Sequence, residues 1–205
     1  GEKGICGLDS GITLAHALAH HGEEPPISGT RGAGTLFLSS CNLRCRYCQN
    51  FQISHNTYGE ILTPEELARR MMNLQNQGCH NIEAVTPTPQ VPQLIDALQF
   101  AWEGGLSLPL VYNCGGYENP EIIRLLDGMV DIYLPDFKYG NEADAFYWSG
   151  IRDYTSYAID SIREMINQVG PGLELDGDDI ATRGIIIRHL ILPGRVKNSI
   201  QVLRL

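Results

Sequence analysis

Apolar residues in this chain follow two alternating patterns, short continuous runs and longer stretches with the helical period of 3.6 residues. The short runs predict β-strands at 35–39, 81–86, 108–112, 130–134 and 184–192. The helical stretches predict helices at 63–78, 91–102, 119–127, 154–169 and 196–205. Because strands and helices alternate, the pattern predicts an α/β fold of parallel βα units.

Local sequence features support two of these elements, the helix at 63–78 and the strand at 184–192. Thr63-Pro64-Glu65-Glu66 is a capping box with proline at the first helical position, and Gly78 is a helix stop. The run 184–192 is apolar at nearly every position, so we expect a strand buried on both faces. Near the N-terminus, His16, His20 and His21 are interpreted as solvated histidines of a surface helix or loop rather than as a metal site.

Composition bounds the class of protein. The chain has 205 residues, 43% hydrophobic and 19% charged, which suits one globular domain with an ample core. A net charge of -9 disfavours a nucleic-acid substrate, because a broad grip on a phosphate backbone needs positive charge. No apolar run approaches the ~18 residues of a membrane span, and no secretory signal pattern is present. We therefore predict a cytoplasmic protein without a membrane partner.

The strongest chemical feature is a loop with C-x3-C-x2-C spacing, formed by Cys41, Cys45 and Cys48. Three thiolates this close can bind three corners of a cubane iron-sulfur cluster and leave the fourth iron without a protein ligand. Structural zinc is the main alternative, but it requires four closed ligands, and Cys6 and Cys79 lie at no recognisable finger spacing. Three ordinary free thiols are the remaining alternative. Disulfides would consume the same thiolates, so we favour a reducing compartment and a cluster.

With tyrosine directly before its last cysteine, this loop resembles the signature of the radical S-adenosylmethionine (radical SAM) superfamily. Within that superfamily, CRYCQN resembles the pyruvate formate-lyase activating enzymes and their uncharacterised relatives. Other segments that fall in the order of the uncharacterised branch are EEPPISGTRGAGTLFLSSC, VTPTPQVPQ, VYNCGGYE, YLPDFKY and RHLILPG.

The resemblance covers most of the chain and implies a partial (βα) barrel of the radical SAM type with about five βα units. Residues 1–34 would be an N-terminal extension leading to the cluster loop, and 35–205 the core domain. Because the chain opens at Gly1 and closes at Leu205 inside a predicted helix, we expect it to be truncated at both ends, with the core incomplete at its C-terminus. The implied cofactors are a 4Fe-4S cluster, with Cys41, Cys45 and Cys48 as iron ligands, and S-adenosyl-L-methionine.

In a parallel barrel, functional groups lie at the carboxyl ends of the strands. Thr86-Pro87-Thr88-Pro89 follows the second predicted strand and by itself indicates a proline-stiffened turn, whereas the resemblance implies that Thr86 and Thr88 line the methionine part of the cofactor. Relatives carry a G-G-E segment here that holds the cofactor amino group. This chain has none, and we expect backbone carbonyls of 86–88 to replace it.

Two further strand ends carry candidate residues. Asn113-Cys114-Gly115-Gly116 indicates a tight turn, in which we predict that Asn113 touches the cofactor and interpret Cys114 as a small buried hydrophobe. Asp136 and Lys138 alternate around Phe137, so both should face the barrel mouth. They are either an ordinary ion pair or, as the resemblance implies, a D-x-K motif with its lysine near the cofactor carboxylate or ribose.

The last candidates are one aromatic residue, Tyr47, and two adjacent basic residues, Arg188 and His189. Tyr47 would shield the cluster from water, and the resemblance also places it against the cofactor adenine. Arg188 and His189 point to opposite faces of the last predicted strand, so at most one faces the interior. By similarity we favour His189 near the ribose, with Arg188 as the alternative. No catalytic residue is assigned.

The resemblance implies reductive cleavage of S-adenosylmethionine to a 5'-deoxyadenosyl radical that abstracts hydrogen. The expected partners are a glycyl-radical enzyme or another protein substrate, and an electron donor such as flavodoxin or ferredoxin. Two alternatives are a radical SAM enzyme that modifies a small molecule or RNA, and a non-catalytic iron-sulfur electron carrier. The electron-carrier alternative is less favoured, because such proteins normally bind the fourth iron of their cluster with a fourth cysteine.

Overall fold

The computed structural model describes residues 6–8 and 10–205, which form an eight-stranded sheet covered by helices. The strand order is β3-β1-β2-β4-β5-β6-β8-β7. The strands are β1 Ile12–His20, β2 Ala33–Leu38, β3 Glu60–Leu62, β4 Ile82–Val85, β5 Leu110–Cys114, β6 Ile132–Pro135, β7 Leu173–Leu175 and β8 Ala181–Ile185. The helices are α1 Pro25–Ser28, α2 Phe51–Asn56, α3 Pro64–Asn76, α4 Val91–Glu103, α5 Pro120–Leu125, α6 Glu142–Ser149, α7 Tyr154–Val169 and α8 Val196–Val202.

The centre of the sheet is parallel. β2, β4, β5, β6 and β8 are parallel neighbours in that order, with β1 and β7 antiparallel on either side. These five parallel strands are the five that the apolar runs predict. The sheet does not close, since β3 and β7 are its two edges, and the predicted partial βα barrel is confirmed.

Alternation along the strands sends side chains to two separate cores. Tyr112 of β5 packs into the main core together with the buried residues of α3, including Leu67, Met71 and Leu74. Its neighbour Val111 packs on the opposite face of the sheet, in a smaller cluster with Ile27, Ala33, Ile132, Leu134 and Ala181. Helix α3 begins as predicted, because the Thr63 hydroxyl accepts from the Glu66 N–H and the Glu66 carboxylate accepts from the Thr63 N–H. This packing fixes the strand ends on which the candidate residues lie.

The interpretation of the N-terminal histidines as part of a surface helix or loop is wrong for His16 and His20, whereas His21 does lie in an exposed loop directly after β1. His16 and His20 lie on strand β1, which pairs antiparallel with β2 and β3. The cause is visible in burial: after Leu14, exposure along β1 rises and falls with a period close to two residues, as a half-buried strand requires. The ring of His16 lies 6.1 Å from that of Tyr58 and the ring of His20 lies 5.7 Å from that of Phe37.

The prediction of a fifth parallel strand over 184–192, buried on both faces, is also wrong in extent. β8 ends at Ile185, and beyond it only a bridge between Arg188 and Asp136 continues the sheet. Ile187, Leu190 and Ile191 are 48%, 51% and 67% exposed. The main chain stays bonded to β6 as far as Arg188, whose N–H donates to the Pro135 carbonyl and whose carbonyl accepts from the Phe137 N–H, and β6 itself ends at Pro135. A strand reaching residue 192 would therefore have no β6 partner for its last residues.

Hydrophobic patterns in the sequence did not predict several short elements. β3 and β7 have three residues each, and α6 lies in a segment without clear helical periodicity. Of the helices in the described residues, none has both the length and the apolar character needed to cross a membrane.

Candidate functional site

The three cysteines lie on one irregular loop between β2 and α2. Ser40 and Arg44 adopt positive φ angles of 73° and 47°, which lets the chain turn sharply on both sides of Cys41. The Cys48 N–H donates to the Cys45 carbonyl at 3.0 Å, and the Arg46 N–H donates to the Trp148 carbonyl at 2.9 Å. Uncommon backbone angles in non-glycine residues concentrate at functional sites. A tightly held loop at the end of β2 therefore presents all three thiols.

Each of the three sulfur atoms has a hydrogen-bond donor nearby. The Leu43 N–H lies 3.4 Å from Cys41 Sγ, Ser149 Oγ lies 3.0 Å from Cys45 Sγ, and Ser54 Oγ lies 3.2 Å from Cys48 Sγ. Such donors suit thiolates, which accept hydrogen bonds better than neutral thiols do. Burial raises the pKa of the Cys41 thiol, an effect opposed by the Leu43 and Arg44 N–H groups. The donor set fits three thiolate ligands of an iron-sulfur cluster.

A single metal ion is a different matter. Within residues 6–8 and 10–205, no three His, Cys, Asp or Glu side chains converge as ligands of one ion. A cubane cluster does not require that convergence, because each of its three thiolates binds a different iron.

The cysteine loop forms one end of a cavity of about 700 Å³, a size that is typical of cofactor sites. The structure brings most of the predicted cofactor residues to this cavity. Those that line it are Tyr47, Thr86, Asn113, Asp136, Lys138 and His189, together with Cys41, Cys45 and Cys48. Thr88 is not among the lining residues: its hydroxyl donates to the buried carboxylate of Glu118 at 2.8 Å.

Asp136 and Lys138 face the same direction and form a close ion pair, as their spacing predicts. Burial alone would lower the pKa of Lys138, but Asp136 and Cys45 outweigh it and raise that pKa. A lysine held in the charged form lies beside the cysteine loop. Such a cation is suited to bind a carboxylate.

Tyr47 is fixed between the cluster loop and α6. Its hydroxyl lies 2.8 Å from that of Tyr139, and its ring packs edge-on against Trp148 with centroids 5.7 Å apart. The Tyr139 hydroxyl in turn lies 2.6 Å from Ser149 Oγ, the group beside Cys45. Burial raises the pKa of the Tyr47 hydroxyl, so it remains a neutral donor. An aromatic, hydrogen-bonded wall therefore covers the cysteine loop on this side.

Uncommon backbone angles occur just after strands β4 and β5. Thr86 has a φ of 53°, which is rare for a β-branched residue, and its N–H donates to the Asn113 carbonyl at 2.8 Å. At Gly116, where φ is 78°, a Cβ would lie 2.1 Å from the carbonyl oxygen of Asp136. Only glycine permits this approach between two strand ends, so the predicted tight turn has a steric cause.

A charged network, here called the charged end of the cavity, begins at Asp136, the partner of Lys138, and sequence patterns did not indicate it as a network. Arg188 lies at its centre, with Nη1 3.1 Å from Glu23 Oε2, Nε 3.2 Å from Asp136 Oδ1 and Nη2 2.5 Å from Asn113 Oδ1. Behind Asn113 lies Glu83, which is fully buried and accepts from Asn113 Nδ2 at 2.7 Å. Asn113 is therefore clamped between a cation and a carboxylate.

Carboxylates outnumber cations in this network. Glu23, Glu24, Glu83 and Asp136 surround Arg188 and Lys138, and these neighbours raise the pKa of Arg188 despite its burial. Burial and the charge of Glu83 raise the pKa of Glu23 to about 7. In the sequence, the only sign of this acidic group is the pair Glu23 and Glu24 in the EEPP segment. Their place in the cavity depends on β1 and α1, which sequence patterns did not predict.

The two adjacent basic residues of the last strand end have different surroundings. The ring nitrogens of His189 lie 2.6 Å from the Phe137 carbonyl and 2.8 Å from Ser199 Oγ, so both already have protein partners. Arg188 instead directs its guanidinium toward Asn113 and Asp136. Both residues line the cavity, so the expectation that at most one of them faces it is wrong: β8 ends at Ile185, and strict strand alternation does not extend to His189. The predicted contact of His189 with a ribose stays a prediction.

Comparison with known proteins agrees with this geometry. The model of the radical SAM superfamily matches residues 35–170, which include the cysteine loop and the strand ends from β2 to β6. The chain is also 26% identical over 203 residues to an uncharacterised protein of Methanocaldococcus jannaschii; the match covers 95% of this chain and 54% of that protein, so the chain spans about half the length of this relative. With three cysteines at one end of a cofactor-sized cavity in a partial βα barrel, and a family match over most of its length, the chain belongs to the radical SAM superfamily, whose members bind a 4Fe-4S cluster and S-adenosylmethionine.

Proposed function

We propose that this protein cleaves S-adenosylmethionine reductively and directs the resulting radical to a hydrogen atom of another molecule. The observation that carries the proposal is that the three thiols and the charged residues Lys138 and Asp136 line one cavity. A cluster bound by Cys41, Cys45 and Cys48 would supply an electron to S-adenosylmethionine, whose bond between sulfur and the 5' carbon then breaks to give methionine and a 5'-deoxyadenosyl radical.

The residues of this chain would hold and orient the cofactor. Lys138, kept cationic by Asp136, would pair with the cofactor carboxylate beside the cysteine loop. Tyr47, whose hydroxyl lies 2.8 Å from that of Tyr139, would pack its ring against the adenine. For the cofactor amino group we propose backbone carbonyls of the turn at 86–88, in which Thr86 lines the cavity, in place of the G-G-E segment.

Exclusion of water is the second task of the protein. A primary carbon radical removes hydrogen from almost any C–H bond, so the cavity must separate it from solvent and from the wrong atoms. The apolar lining residues near the cysteines, among them Leu38, Leu43 and Ile53, serve this purpose.

For the substrate, we propose a glycine in a protein partner, as in the activating enzymes that the CRYCQN segment resembles. The acidic charge of the chain, -9, also disfavours a nucleic acid. A small polar molecule is the second candidate. It is favoured by the charged network of Arg188, Glu23 and Asp136, which faces the cavity and is suited to a ligand with hydrogen-bonding groups of its own.

The first test is anaerobic. The protein is reconstituted with iron and sulfide, reduced with dithionite, and mixed with S-adenosylmethionine, and 5'-deoxyadenosine and methionine are quantified. We expect both products from the wild type and neither from Cys45→Ala. A cluster that forms and is reduced without producing 5'-deoxyadenosine would contradict the proposal.

The substrate is tested in a second step. A glycyl-radical enzyme incubated with the active protein should develop the doublet of a glycyl radical in its electron paramagnetic resonance spectrum. If 5'-deoxyadenosine forms but no protein radical appears, while deuterium from a labelled small molecule enters 5'-deoxyadenosine, the small-molecule alternative is correct.

A further inference from the structure

A group of arginines and exposed aromatic residues lies next to the cluster loop, on and around helix α6. We define the α6 patch as Arg46, Phe146, Tyr147, Arg152 and Arg195. Phe146 and Tyr147 are 45% and 50% exposed, although both are large and apolar. The guanidinium of Arg152 lies 3.9 Å from the centre of the Phe146 ring, and those of Arg46 and Arg195 lie 5.1 Å and 5.4 Å from the centre of the Tyr147 ring.

The charge of this patch is opposite to that of the chain. The protein carries 24 acidic and 15 basic residues, yet the patch gathers three arginines. Among the described ion pairs, one involves a patch arginine, between Asp144 Oδ1 and Arg195 Nη1 at 3.4 Å. The neighbouring carboxylates of Glu142 and Asp153 accept hydrogen bonds from residues outside the patch instead. Arginine and aromatic residues are the types enriched at the energetic centres of protein interfaces. The composition therefore fits a docking surface for an acidic protein.

The patch is connected to a cluster ligand by short contacts. Tyr147 packs against Trp148 with ring centroids 4.9 Å apart. Ser149, the next residue, places its hydroxyl 3.0 Å from Cys45 Sγ. Arg46 belongs to the loop itself and is held to α6 by its N–H, which donates to the Trp148 carbonyl. A partner on the patch is thus separated from the cluster site by little more than one layer of side chains.

None of the five patch residues lines the cavity. A protein docked there would leave the cavity open to S-adenosylmethionine and to a substrate. That separation is what an electron donor needs, because it must deliver an electron while the cavity is occupied.

We propose that the α6 patch is the docking surface for a small acidic one-electron carrier protein that reduces the cluster. This inference rests on the proposed function. In the transfer, the reduced carrier loses one electron and the cluster gains one, and no atom or proton needs to cross the interface. The positive charge of the patch would raise the association rate, and added salt would screen it.

The test compares two reductants in the reconstituted protein. An acidic flavodoxin, reduced to its hydroquinone, is the protein donor, and dithionite is the small-molecule donor that needs no docking surface. We expect the double variant R152E/R195E to raise the flavodoxin concentration for half-maximal cluster reduction about tenfold or more. Its rate with dithionite should equal that of the wild type.

Two matched variants separate charge from folding. Arg70→Glu reverses an arginine on α3 that is 44% exposed, against 42% for Arg195, and that likewise pairs with a carboxylate, that of Glu60; it should leave reduction by flavodoxin unchanged. R152K/R195K keeps the charge and should recover most of the rate. Raising the salt concentration should slow flavodoxin with the wild type but not with R152E/R195E.

The optical bleaching of the cluster is measured separately from 5'-deoxyadenosine. If dithionite reduces the wild-type cluster but no S-adenosylmethionine is cleaved, the proposed function fails while cluster reduction by flavodoxin still tests the patch. Equal dependence on flavodoxin concentration in the wild type and in R152E/R195E would overturn the inference.

Discussion

The two ends of the cavity are built in opposite ways. At the cysteine end, three ligands come from one loop of eight residues, 41–48, and their partners are hydroxyl and N–H groups. At the charged end, Glu23, Glu83, Asn113, Asp136 and Arg188 come from five separate segments of the chain. One end is local in sequence and the other exists only after the sheet has formed.

This difference has a physical origin. A cluster demands soft ligands at close spacing, and a short loop is the simplest way to supply them. Charged groups in a partly buried cavity demand partners instead, because an unpaired buried charge is costly. The partners are drawn from whichever strands meet there. We therefore expect the cysteine end to control chemistry and the charged end to control stability, and four experiments test this division.

The largest effect is expected at the cysteine end. Cys45→Ala removes a thiolate that is buried and faces Ser149. We expect loss of bound iron and at least a thousandfold loss of 5'-deoxyadenosine formation, together with a loss of about 1 kcal/mol in the unfolding free energy of the metal-free protein, as for another buried cysteine changed to alanine. Iron and sulfide analysis and product quantification measure the two effects.

Cys79→Ala is the matched control. Cys79 is also buried in the main core but, unlike Cys45, does not line the cavity. It should keep full iron content and lose only stability, by about 1 kcal/mol. A Cys45→Ala protein with normal iron and activity would overturn the assignment of the cluster loop.

The second effect concerns the charged end. Arg188→Met removes the cation that Glu23, Asp136 and Asn113 share. Leaving those carboxylates without it should lower the free energy of unfolding at pH 8 by roughly 3 kcal/mol, as for other buried ion pairs that lose one partner. Urea unfolding of the metal-free protein measures the change.

A second substitution tests whether charge is the cause. Glu23→Gln should recover part of the loss when combined with Arg188→Met, since it removes one of the carboxylates left unpaired. If the two substitutions add without interaction, the network does not act as a unit and the comparison of the two ends fails.

Sequence alone predicted the features that depend on neighbouring residues, such as the cysteine end of the cavity, and missed those that depend on distant ones, such as the charged end. The five parallel strands were predicted because each contains a short continuous apolar run, and helix α3 because it has the helical period and its own cap at Thr63. The cysteine loop was predicted because its spacing is local. Glu83, in contrast, lies in a short apolar run and shows no sign in sequence that its carboxylate meets Thr35 and Asn113.

The errors have causes of the same kind. β1 was missed because its alternation of small apolar residues and histidines is weak as a strand pattern, although pairing with β2 stabilises it. The last strand was overextended because apolar composition does not reveal that the exposed Leu190 and Ile191 lie beyond the sheet. Long-range pairing, which no local pattern contains, decided both.

The third experiment uses pH to separate the ends. The pKa of Glu23 is raised from 4.5 to about 7 in the folded protein, mainly by burial. A raised carboxyl pKa means that the folded state binds the proton more tightly than the unfolded state, so its stabilising contribution is complete below pH ~4.5 and is lost as pH rises through ~7. Glu23→Gln should therefore reduce the fall in unfolding free energy between pH 5 and 8 by about 1 kcal/mol, after allowance for solvent screening.

Glu118→Gln is the comparison for that measurement. The pKa of Glu118 is also raised to about 7 by burial, but its carboxylate faces Thr88 and Tyr112 and does not line the cavity. It should remove a separate share of the pH dependence, so that the double variant is flatter than either single one. An unchanged slope in Glu23→Gln would show that Glu23 is already ionised at pH 5.

The smallest effect is expected at the cysteine end, where hydroxyl donors to the cysteine sulfur atoms should change the reduction potential of the cluster. Ser149 Oγ lies 3.0 Å from Cys45 Sγ and is itself supported by Tyr139. A donor to a ligand sulfur favours the more negative, reduced cluster, so Ser149→Ala should lower the reduction potential. On the scale of one hydrogen bond, ~1 kcal/mol, the shift is tens of millivolts.

A redox titration followed by electron paramagnetic resonance measures that shift, with Ser156→Ala as the control because Ser156 is exposed and bonds only the Asp153 carbonyl among the contacts described. Iron content should be unchanged in both variants, since neither removes a ligand. An unchanged potential in Ser149→Ala would mean that its hydroxyl merely positions Tyr139 and Tyr47. In that case the cysteine end would depend on ligand spacing alone, and the contrast with the charged end would be sharper still.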